Sequence, residues 1–137
     1  MYQVSLIDAP SSTPGSRTIG HVTAQATGRT TAHVVDARFF RVLSDPTRLA
    51  IVAHLLADGP LTVGELVARI GGPQSRVSNH LACLRWCQFV GYERQGRQVR
   101  YSIADPRLRQ LLDLTHELVA DKAAHLASCE RVGPRWA

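Results

Sequence analysis

The stretch GGPQSRVSNHLACLRWCQ, residues 71–88, decides how this chain folds. Its Gly-Gly-Pro opening ends one helix, and the residues that follow predict another. At about 100° per residue, three apolar side chains fall on one face of this second helix, namely Val77, Leu81 and Leu84. Two short helices joined by a tight turn are typical of a helix-turn-helix unit.

Two short strands follow the helix pair, at residues 89–94 and 98–103. The Gln-Gly-Arg sequence at 95–97 is the turn between them. A helix-turn-helix followed by a basic hairpin predicts a winged helix-turn-helix, which is a mainly α fold with one small β-hairpin. In this fold the second helix of the pair enters the major groove of DNA, and the hairpin lies along the backbone or reaches into the minor groove.

Capping residues mark the starts of the other helices. Asp45 precedes a proline and has the residue type of an N-cap, and Thr62 with Glu65 three residues later predicts a capping box. After the hairpin, Asp105 begins a long last helix whose apolar spacing continues nearly to Cys129.

The chain divides into three parts by composition. Residues 1–33 are rich in small polar residues with no helical or strand period, which predicts a flexible N-terminal arm. Residues 34–128 form the predicted winged helix-turn-helix domain for DNA binding and dimerisation, and residues 129–137 form a C-terminal tail with a candidate metal ligand. We expect a symmetric homodimer, because one reading helix covers only half of a palindromic DNA site.

Positive charge is concentrated in one segment. Between Ser75 and Arg109 there are seven arginines against two acidic residues, an excess equal to the net charge of +5 of the whole chain. Arginine donates bidentately to phosphate oxygens, so double-stranded operator DNA is the expected partner, although a solvated basic surface is the alternative. The candidate DNA contacts are Ser75, Arg76, Ser78, Asn79 and His80 on the helix, and Arg94, Arg97 and Arg100 on the hairpin.

Several classes of protein are disfavoured by the composition. No apolar run approaches the ~20 residues of a membrane span, and the chain does not open with a signal segment, so we expect a cytoplasmic protein without a membrane partner. His80 lies three residues before Cys83, but no orienting acid or oxyanion motif accompanies the two. We therefore do not expect an enzyme.

The three cysteines form a candidate metal site. Cys83 and Cys87 are four residues apart on the predicted reading helix, so their thiols lie on one face within reach of one ion. Together with Cys129 they would form a soft site for cadmium or lead, or for zinc with a fourth ligand. Spacing alone slightly favours the alternative of two packed thiols and one unrelated tail cysteine.

Three segments make the sequence similar to the ArsR/SmtB family of bacterial metal-sensing repressors. They are Leu43 to Leu49 (LSDPTRL), Ser75 to Arg85 (SRVSNHLACLR) and Gly96 to Tyr101 (GRQVRY). The resemblance covers about residues 35–128 and implies a dimer paired largely through its first and last helices. It also implies a repressor of metal efflux or detoxification genes that leaves its operator when metal binds. The N-terminal arm has no clear counterpart in the family.

The resemblance also assigns the thiols. In the CmtR group of this family, which senses cadmium and lead, two cysteines four apart and a tail cysteine of the opposite subunit bind the metal. Cys83, Cys87 and Cys129 occupy these places. The resemblance therefore implies cadmium or lead as effector, with zinc possible.

Two alternatives on the same scaffold stay open. The first is a sensor of zinc, nickel or cobalt that uses a second site on the last helix, at Asp113, His116 and His125. In the family such a site normally has Asp-x-His and then a His followed three residues later by Glu or His, whereas here Ser128 stands three residues after His125. The second is a redox-responsive repressor, in which Cys129 would be the resolving partner because cysteines one helical turn apart bond only with distortion.

Overall fold

The computed structural model describes residues 22–131, with side chains from residue 31 onward. Within that range the chain forms six helices and two strands: α1 (Val22–Leu43), α2 (Pro46–Asp58), α3 (Val63–Ile70), α4 (Gln74–Trp86), β1 (Val90–Gln95), β2 (Gln98–Ile103), α5 (Arg107–Ala120) and α6 (Ala123–Ala127). The chain divides into two units between Val34 and Val35. Of the first unit, the structure describes only the N-terminal part of α1. The second unit contains the helix-turn-helix and the hairpin, which confirms the prediction of a mainly α fold with one small hairpin.

A cluster of buried apolar side chains forms the core of the second unit. Val77, Leu81 and Leu84 are each no more than 1% exposed, as the spacing in α4 predicts. Burial of an aliphatic side chain of this size contributes about 1.5–3 kcal/mol, so these three fix the rotation of α4 about its axis. The other buried members are Leu43, Ile51, Val52, Leu55, Leu61, Leu66, Phe89, Val90, Leu108 and Leu112.

Two helices begin at the caps that the sequence predicts. At the start of α2, the Asp45 carboxylate accepts the N–H of Arg48 at 2.9 Å. At the start of α3, the Thr62 hydroxyl accepts the N–H of Glu65 at 3.2 Å, and the Glu65 carboxylate accepts the N–H of Thr62 at 2.7 Å. These bonds satisfy backbone donors that the first turn of a helix leaves free, so these two caps are confirmed. The third predicted cap, Asp105, lies one residue too early, because Pro106 is the N-cap of α5 and the Asp105 carboxylate accepts the N–H of Arg107 at 2.9 Å.

The hairpin closes in two residues and is anchored to the helices. Gln95 pairs with Gln98, which leaves Gly96 and Arg97 as the turn. Gly96 has φ 62°, a left-handed conformation that glycine adopts without steric cost. Leu61, between α2 and α3, exchanges two backbone hydrogen bonds of 2.7 and 3.0 Å with Tyr101.

The first helix starts earlier than predicted. The pattern predicts a helix from Val34 and a flexible arm before it, but α1 begins at Val22. The predicted start of the helix is therefore wrong, while residues 1–21 lie outside the described range. This segment has no proline, but its four threonines and Gly28 are poor helix formers and it has no apolar stripe, so neither propensity nor pattern indicates the helix.

The last helix is interrupted. Its apolar spacing predicts one helix nearly to Cys129, but α5 ends at Ala120 and α6 begins at Ala123. The N–H of Lys122 donates to the carbonyl of Val119 at 2.8 Å, a bond to the third residue back that tightens the last turn. Neither glycine nor proline marks this break, so the sequence carried no signal for it.

The Asp45 cap leads to a test of stability. Replacement Asp45→Ala removes the acceptor for the N–H of Arg48 and should lower the free energy of unfolding by about 1 kcal/mol. Asp45→Asn keeps an acceptor and should lose less. Urea unfolding at pH 7 and one fixed protein concentration measures both, and an unchanged midpoint for Asp45→Ala would contradict the cap.

The same cap predicts a pH dependence. Burial opposes ionisation of Asp45, but the Arg48 N–H and the nearby His80 outweigh it and lower the carboxyl pKa below its ordinary 3.8. The stabilisation is then present above pH 3.8 and lost as the pH falls through the lowered pKa. The difference in stability between the parent and Asp45→Asn should shrink over that range.

Candidate functional site

Helix α4 presents polar side chains away from the core. Ser75, Arg76 and Asn79 are exposed, and Ser78 is half-buried. Side chains of these types pair with base edges and with phosphates. The residues predicted to read DNA are therefore accessible near the N-terminal end of α4.

His80 points toward the start of α2 instead. Its Nδ1 lies 3.8 Å from the Asp45 Oδ1, and its side chain is 17% exposed. The imidazole thus packs within the helix-turn-helix. This position gives no support to the prediction that His80 contacts DNA.

The pairing register sorts the charged residues of the hairpin onto two faces. Tyr92 is opposite Tyr101 and Arg94 is opposite Val99, so these side chains share one face, whereas Glu93 and Arg100 share the other. Arg94 and the turn residue Arg97 are exposed. The two arginines are therefore available to phosphates.

Arg100 is occupied by the protein itself. Its Nη1 donates to the carbonyl of Pro60 at 2.9 Å and lies 3.6 Å from the Glu65 Oε2. The guanidinium thus ties β2 to the turn between α2 and α3. We therefore expect Arg94 and Arg97, and not Arg100, to be the phosphate contacts of the hairpin.

Cys83 and Cys87 form a thiol pair at the C-terminal end of α4. Both residues are half-buried. Burial raises the pKa of the Cys87 thiol above its ordinary value, and the adjacent Cys83 thiol, which is hydrogen-bonded to it, raises it further. Arg48 opposes this shift. The two sulfur atoms are thus close enough to interact, as their spacing predicts.

A tight turn after α4 sets the position of Cys87. The N–H of Phe89 donates to the carbonyl of Leu84 at 2.9 Å, and the N–H of Gln88 donates to the backbone carbonyl of Arg85 at 3.0 Å. This is a Schellman motif with Cys87 as the C-cap and Gln88 at φ 62°, where glycine is usual. The turn buries Phe89 in the core and so leaves Cys87 at the helix end.

One protomer does not bring three candidate metal ligands together. Cys129 is half-buried and follows α6. Among the residues that the structure describes, no three His, Cys, Asp or Glu side chains are close enough to hold one ion. This applies to Cys129 with the thiol pair, and equally to Asp113, His116 and His125, so both ligand sets remain predictions.

Arg48 is a positioning residue that sequence reasoning missed. Its guanidinium donates to the carbonyl of Val42, and at 3.2 Å to the carbonyl of Arg41. These carbonyls end α1, so Arg48 joins the end of α1 to the start of α2, close enough to Cys87 to affect its pKa. The only signal was its place in the segment from Leu43 to Leu49 that resembles the family.

Comparison with known proteins identifies the family. The model of the family described as "Bacterial regulatory protein, arsR family" matches residues 45–92, from the Asp45 cap into β1. A relative from Streptomyces lividans, named "Probable mercury resistance operon repressor", is 47% identical over 96 residues, covering 70% of this chain and 76% of the relative. The chain belongs to the ArsR family of bacterial regulatory proteins.

Other relatives of this ArsR-family chain agree. The regulator CmtR of Mycobacterium tuberculosis (strain ATCC 25618 / H37Rv) is 42% identical over 107 residues, covering 71% of this chain and 90% of the relative. The crystal structure of M. tuberculosis Rv0081 superposes with a TM-score of 0.63 at 30% identity, covering 71% of this chain and 97% of that one. The predicted winged helix-turn-helix fold is confirmed.

Family membership establishes the broad function. The chain is a DNA-binding transcriptional repressor of the ArsR family, and the prediction that it is not an enzyme agrees with its relatives, which are transcriptional regulators. Within residues 22–131, no helix combines the length and apolar character needed to cross a membrane.

The geometry of the hairpin predicts different roles for its arginines. Arg97→Ala should weaken binding to the operator and to a random duplex alike, and should lower the salt slope by about 0.9 for one lost phosphate contact. Arg100→Ala should instead lower the melting temperature, because its bond to Pro60 is lost. Fluorescence anisotropy at several salt concentrations and thermal unfolding measure the two effects.

Two further variants serve as controls. Gln98→Ala changes an exposed neutral residue beside the turn and should leave the salt slope unchanged. Asn79→Ala should lower the preference for the operator over the random duplex by about 1–3 kcal/mol if it removes a base contact. An equal loss on both duplexes would show that Asn79 does not read bases.

Proposed function

We propose that this chain is a metal-responsive repressor that binds operator DNA as a homodimer. A soft metal ion releases it by binding the thiolates of Cys83, Cys87 and Cys129. The observation that favours this proposal is the position of the thiol pair, which lies on the same helix as the exposed Ser75 and Asn79. Metal bound to the pair would act directly on the DNA-reading element.

The chemistry of the pair suits a metal ligand set. Thiolates prefer soft ions, and a metal must displace the thiol protons to bind. The raised pKa of Cys87 means that this thiol keeps its proton when metal is absent. Metal binding should therefore release the Cys87 proton.

Linkage sets the energy that release requires. A hundredfold loss of operator affinity needs about 2.7 kcal/mol of difference in metal affinity between the two conformations. Structural metal sites with thiolate ligands reach about 10 kcal/mol or more, so a small fraction of the binding energy suffices. Joining the end of α4 to the partner's tail would change the spacing of the two reading helices in the dimer.

The identity of the ion has two candidate answers. The CmtR resemblance favours cadmium or lead, with zinc possible, whereas the S. lividans relative is named for mercury resistance. Mercury(II) binds two thiolates in a linear arrangement, while cadmium and lead favour three or more. We favour cadmium or lead because a third cysteine, Cys129, is present, and we expect mercury alone to act without it.

An exposed apolar row supports the dimer. Leu114 and Leu118 lie one turn apart on α5 and are 53% and 59% exposed, and Phe40 on α1 is 59% exposed. Large apolar side chains in a row are costly to leave in water, and α1 and α5 are the helices that the family resemblance assigns to pairing. We propose that a second copy of the chain covers this row.

Disrupting the row should separate the subunits. Leu118→Glu places a charge in the proposed interface and should shift the chain from dimer to monomer in sedimentation at micromolar concentration, with a matching loss of operator affinity. Ala120→Glu adds the same charge on the opposite side of α5 and should remain dimeric. A parent chain that sediments as a monomer would overturn the dimer.

Serine variants test the thiol site. Cys83→Ser and Cys87→Ser should bind the operator like the parent but should no longer release it when cadmium or lead is added. Cys129→Ser should keep weak binding through the remaining pair and lose most of the release. Anisotropy of a labelled duplex from the chain's own promoter region measures release, and thiolate-to-metal absorption measures binding. A Cys129→Ser chain that releases DNA normally with cadmium would remove the tail from the mechanism.

Mixed dimers test whether Cys129 acts on the opposite subunit. A Cys83→Ser/Cys87→Ser protomer paired with a Cys129→Ser protomer contains one complete site only if the third ligand comes from the partner. Such heterodimers, purified with two different tags, should bind cadmium at one site per dimer, while both parental homodimers should lack the three-thiolate absorption. Absence of that absorption in the heterodimer would show that the site is not shared between subunits.

The same assay separates the alternatives. Release by peroxide without metal, reversed by a thiol reductant, would favour a redox-responsive repressor. Release by zinc, nickel or cobalt that survives Cys83→Ser and disappears in an Asp113→Ala/His116→Ala double variant would favour the site on the last helices. The proposed thiolate mechanism predicts neither result.

A further inference from the structure

Trp86 is an exposed aromatic residue with no role in the site described above. It ends α4 with 89% of its surface exposed. By helical geometry it lies at 20° from Ser75 and at a similar angle from Asn79, about opposite the buried Leu84. The indole therefore continues the row of α4 that is proposed to face DNA.

Arg85 is held beside Trp86 in a defined place. Its guanidinium lies over the Tyr92 ring, 4.0 Å from the centroid. This cation–π contact holds the group without using its N–H donors. Among the described residues, no hydrogen bond or ion pair of the Arg85 side chain accompanies that contact.

These side chains form an open groove between α4 and β1. Its lining includes Arg85, Trp86 and Tyr92, and its volume is about 550 Å³. Arg94 lies on the same face of the hairpin as Tyr92, whereas Glu93 lies on the opposite face. We name Arg85, Trp86, Tyr92 and Arg94 the aromatic-basic patch. The patch is positively charged, and the nearest acidic residue along the strand points away from it.

We propose that the aromatic-basic patch binds the sugar-phosphate backbone of the operator at the edge of the major groove. Trp86 is eleven positions after Ser75, which is about 16 Å along the helix axis. The major groove is only about 12 Å wide. A helix that reads bases with Ser75 and Asn79 thus places its other end at the groove rim, where phosphates lie.

The chemistry of the patch matches that position. The Arg85 and Arg94 guanidinium groups pair with phosphate oxygens, and the Trp86 indole N–H can donate one further hydrogen bond while its ring covers a deoxyribose. These contacts contain no base readout, so they add affinity and orientation without selecting sequence. The inference rests on the proposed binding of operator DNA.

Trp86 emission gives a direct test. The chain has two tryptophans, so a Trp136→Phe background leaves Trp86 as the only emitter. Titration with an unlabelled random duplex at low salt should quench or blue-shift its emission, and added salt should reverse the change. Emission that stays constant while anisotropy of a labelled duplex reports saturation would overturn the proposal.

Affinity measurements complete the test. Trp86→Ala should weaken binding to operator and random duplexes equally, by about threefold to tenfold, as expected for one lost hydrogen bond and its packing contact. Trp86→Phe should fall between the parent and Trp86→Ala. Arg85→Ala should lower the salt slope by about 0.9, more than Arg131→Ala, which removes the same charge from the C-terminal segment.

The outcomes distinguish this proposal from the proposed function. If the parent binds its promoter duplex and releases it with cadmium while Trp86→Ala behaves identically, the patch does not contact DNA and the repressor proposal stands. If Trp86→Ala leaves DNA binding intact but changes sedimentation, the patch is a protein contact and the proposal is wrong. If the parent does not bind the duplex, the proposed function itself fails.

Discussion

The burial of one face of α4 is the constraint on which the rest of the site depends. With Val77, Leu81 and Leu84 almost fully enclosed, the helix cannot rotate without exposing apolar surface to water. Its remaining faces are then assigned. Ser75 and Asn79 point outward, and His80 points toward the Asp45 cap. The same three buried side chains also fix the position of the thiol pair at the end of α4.

The connection between the thiol pair and the rest of the protein passes through short segments. Arg48 bonds the last carbonyls of α1, follows the Asp45 cap of α2, and is close enough to affect the pKa of Cys87. Asp45 in turn lies 3.8 Å from His80 on α4. The ends of α1, α2 and α4 therefore meet in one polar cluster beside the proposed ligands.

Charge alone does not distinguish the roles of the arginines on the hairpin and α4. The sequence alone does not separate the three arginines of the hairpin, Arg94, Arg97 and Arg100. In the structure, Arg100 joins the hairpin to the Pro60 carbonyl. Arg85 is held by the Tyr92 ring, and within the described residues its N–H donors have no hydrogen-bond partner. The basic excess of this segment thus divides into arginines that build the scaffold and arginines that remain available to phosphates.

Local chemistry determined much of this protein directly from its sequence. The caps at Asp45 and Thr62, the glycine turn at Gly96 and the apolar face of α4 follow from interactions within a few residues, so the order of elements could be predicted from the sequence. The four-residue spacing of Cys83 and Cys87 likewise suffices to bring their thiols together.

Tertiary structure decided the features that depend on neighbours far along the chain. The Leu61–Tyr101 pairing anchors the hairpin, its register gives Arg94 and Arg100 opposite faces, and the packing of α4 against α2 turns His80 to Asp45. The early start of α1 and the break after Ala120 escaped the pattern because neither a stripe nor a breaking residue marks them. Periodicity records which residues are apolar, whereas these features depend on which backbone and side-chain partners the fold supplies.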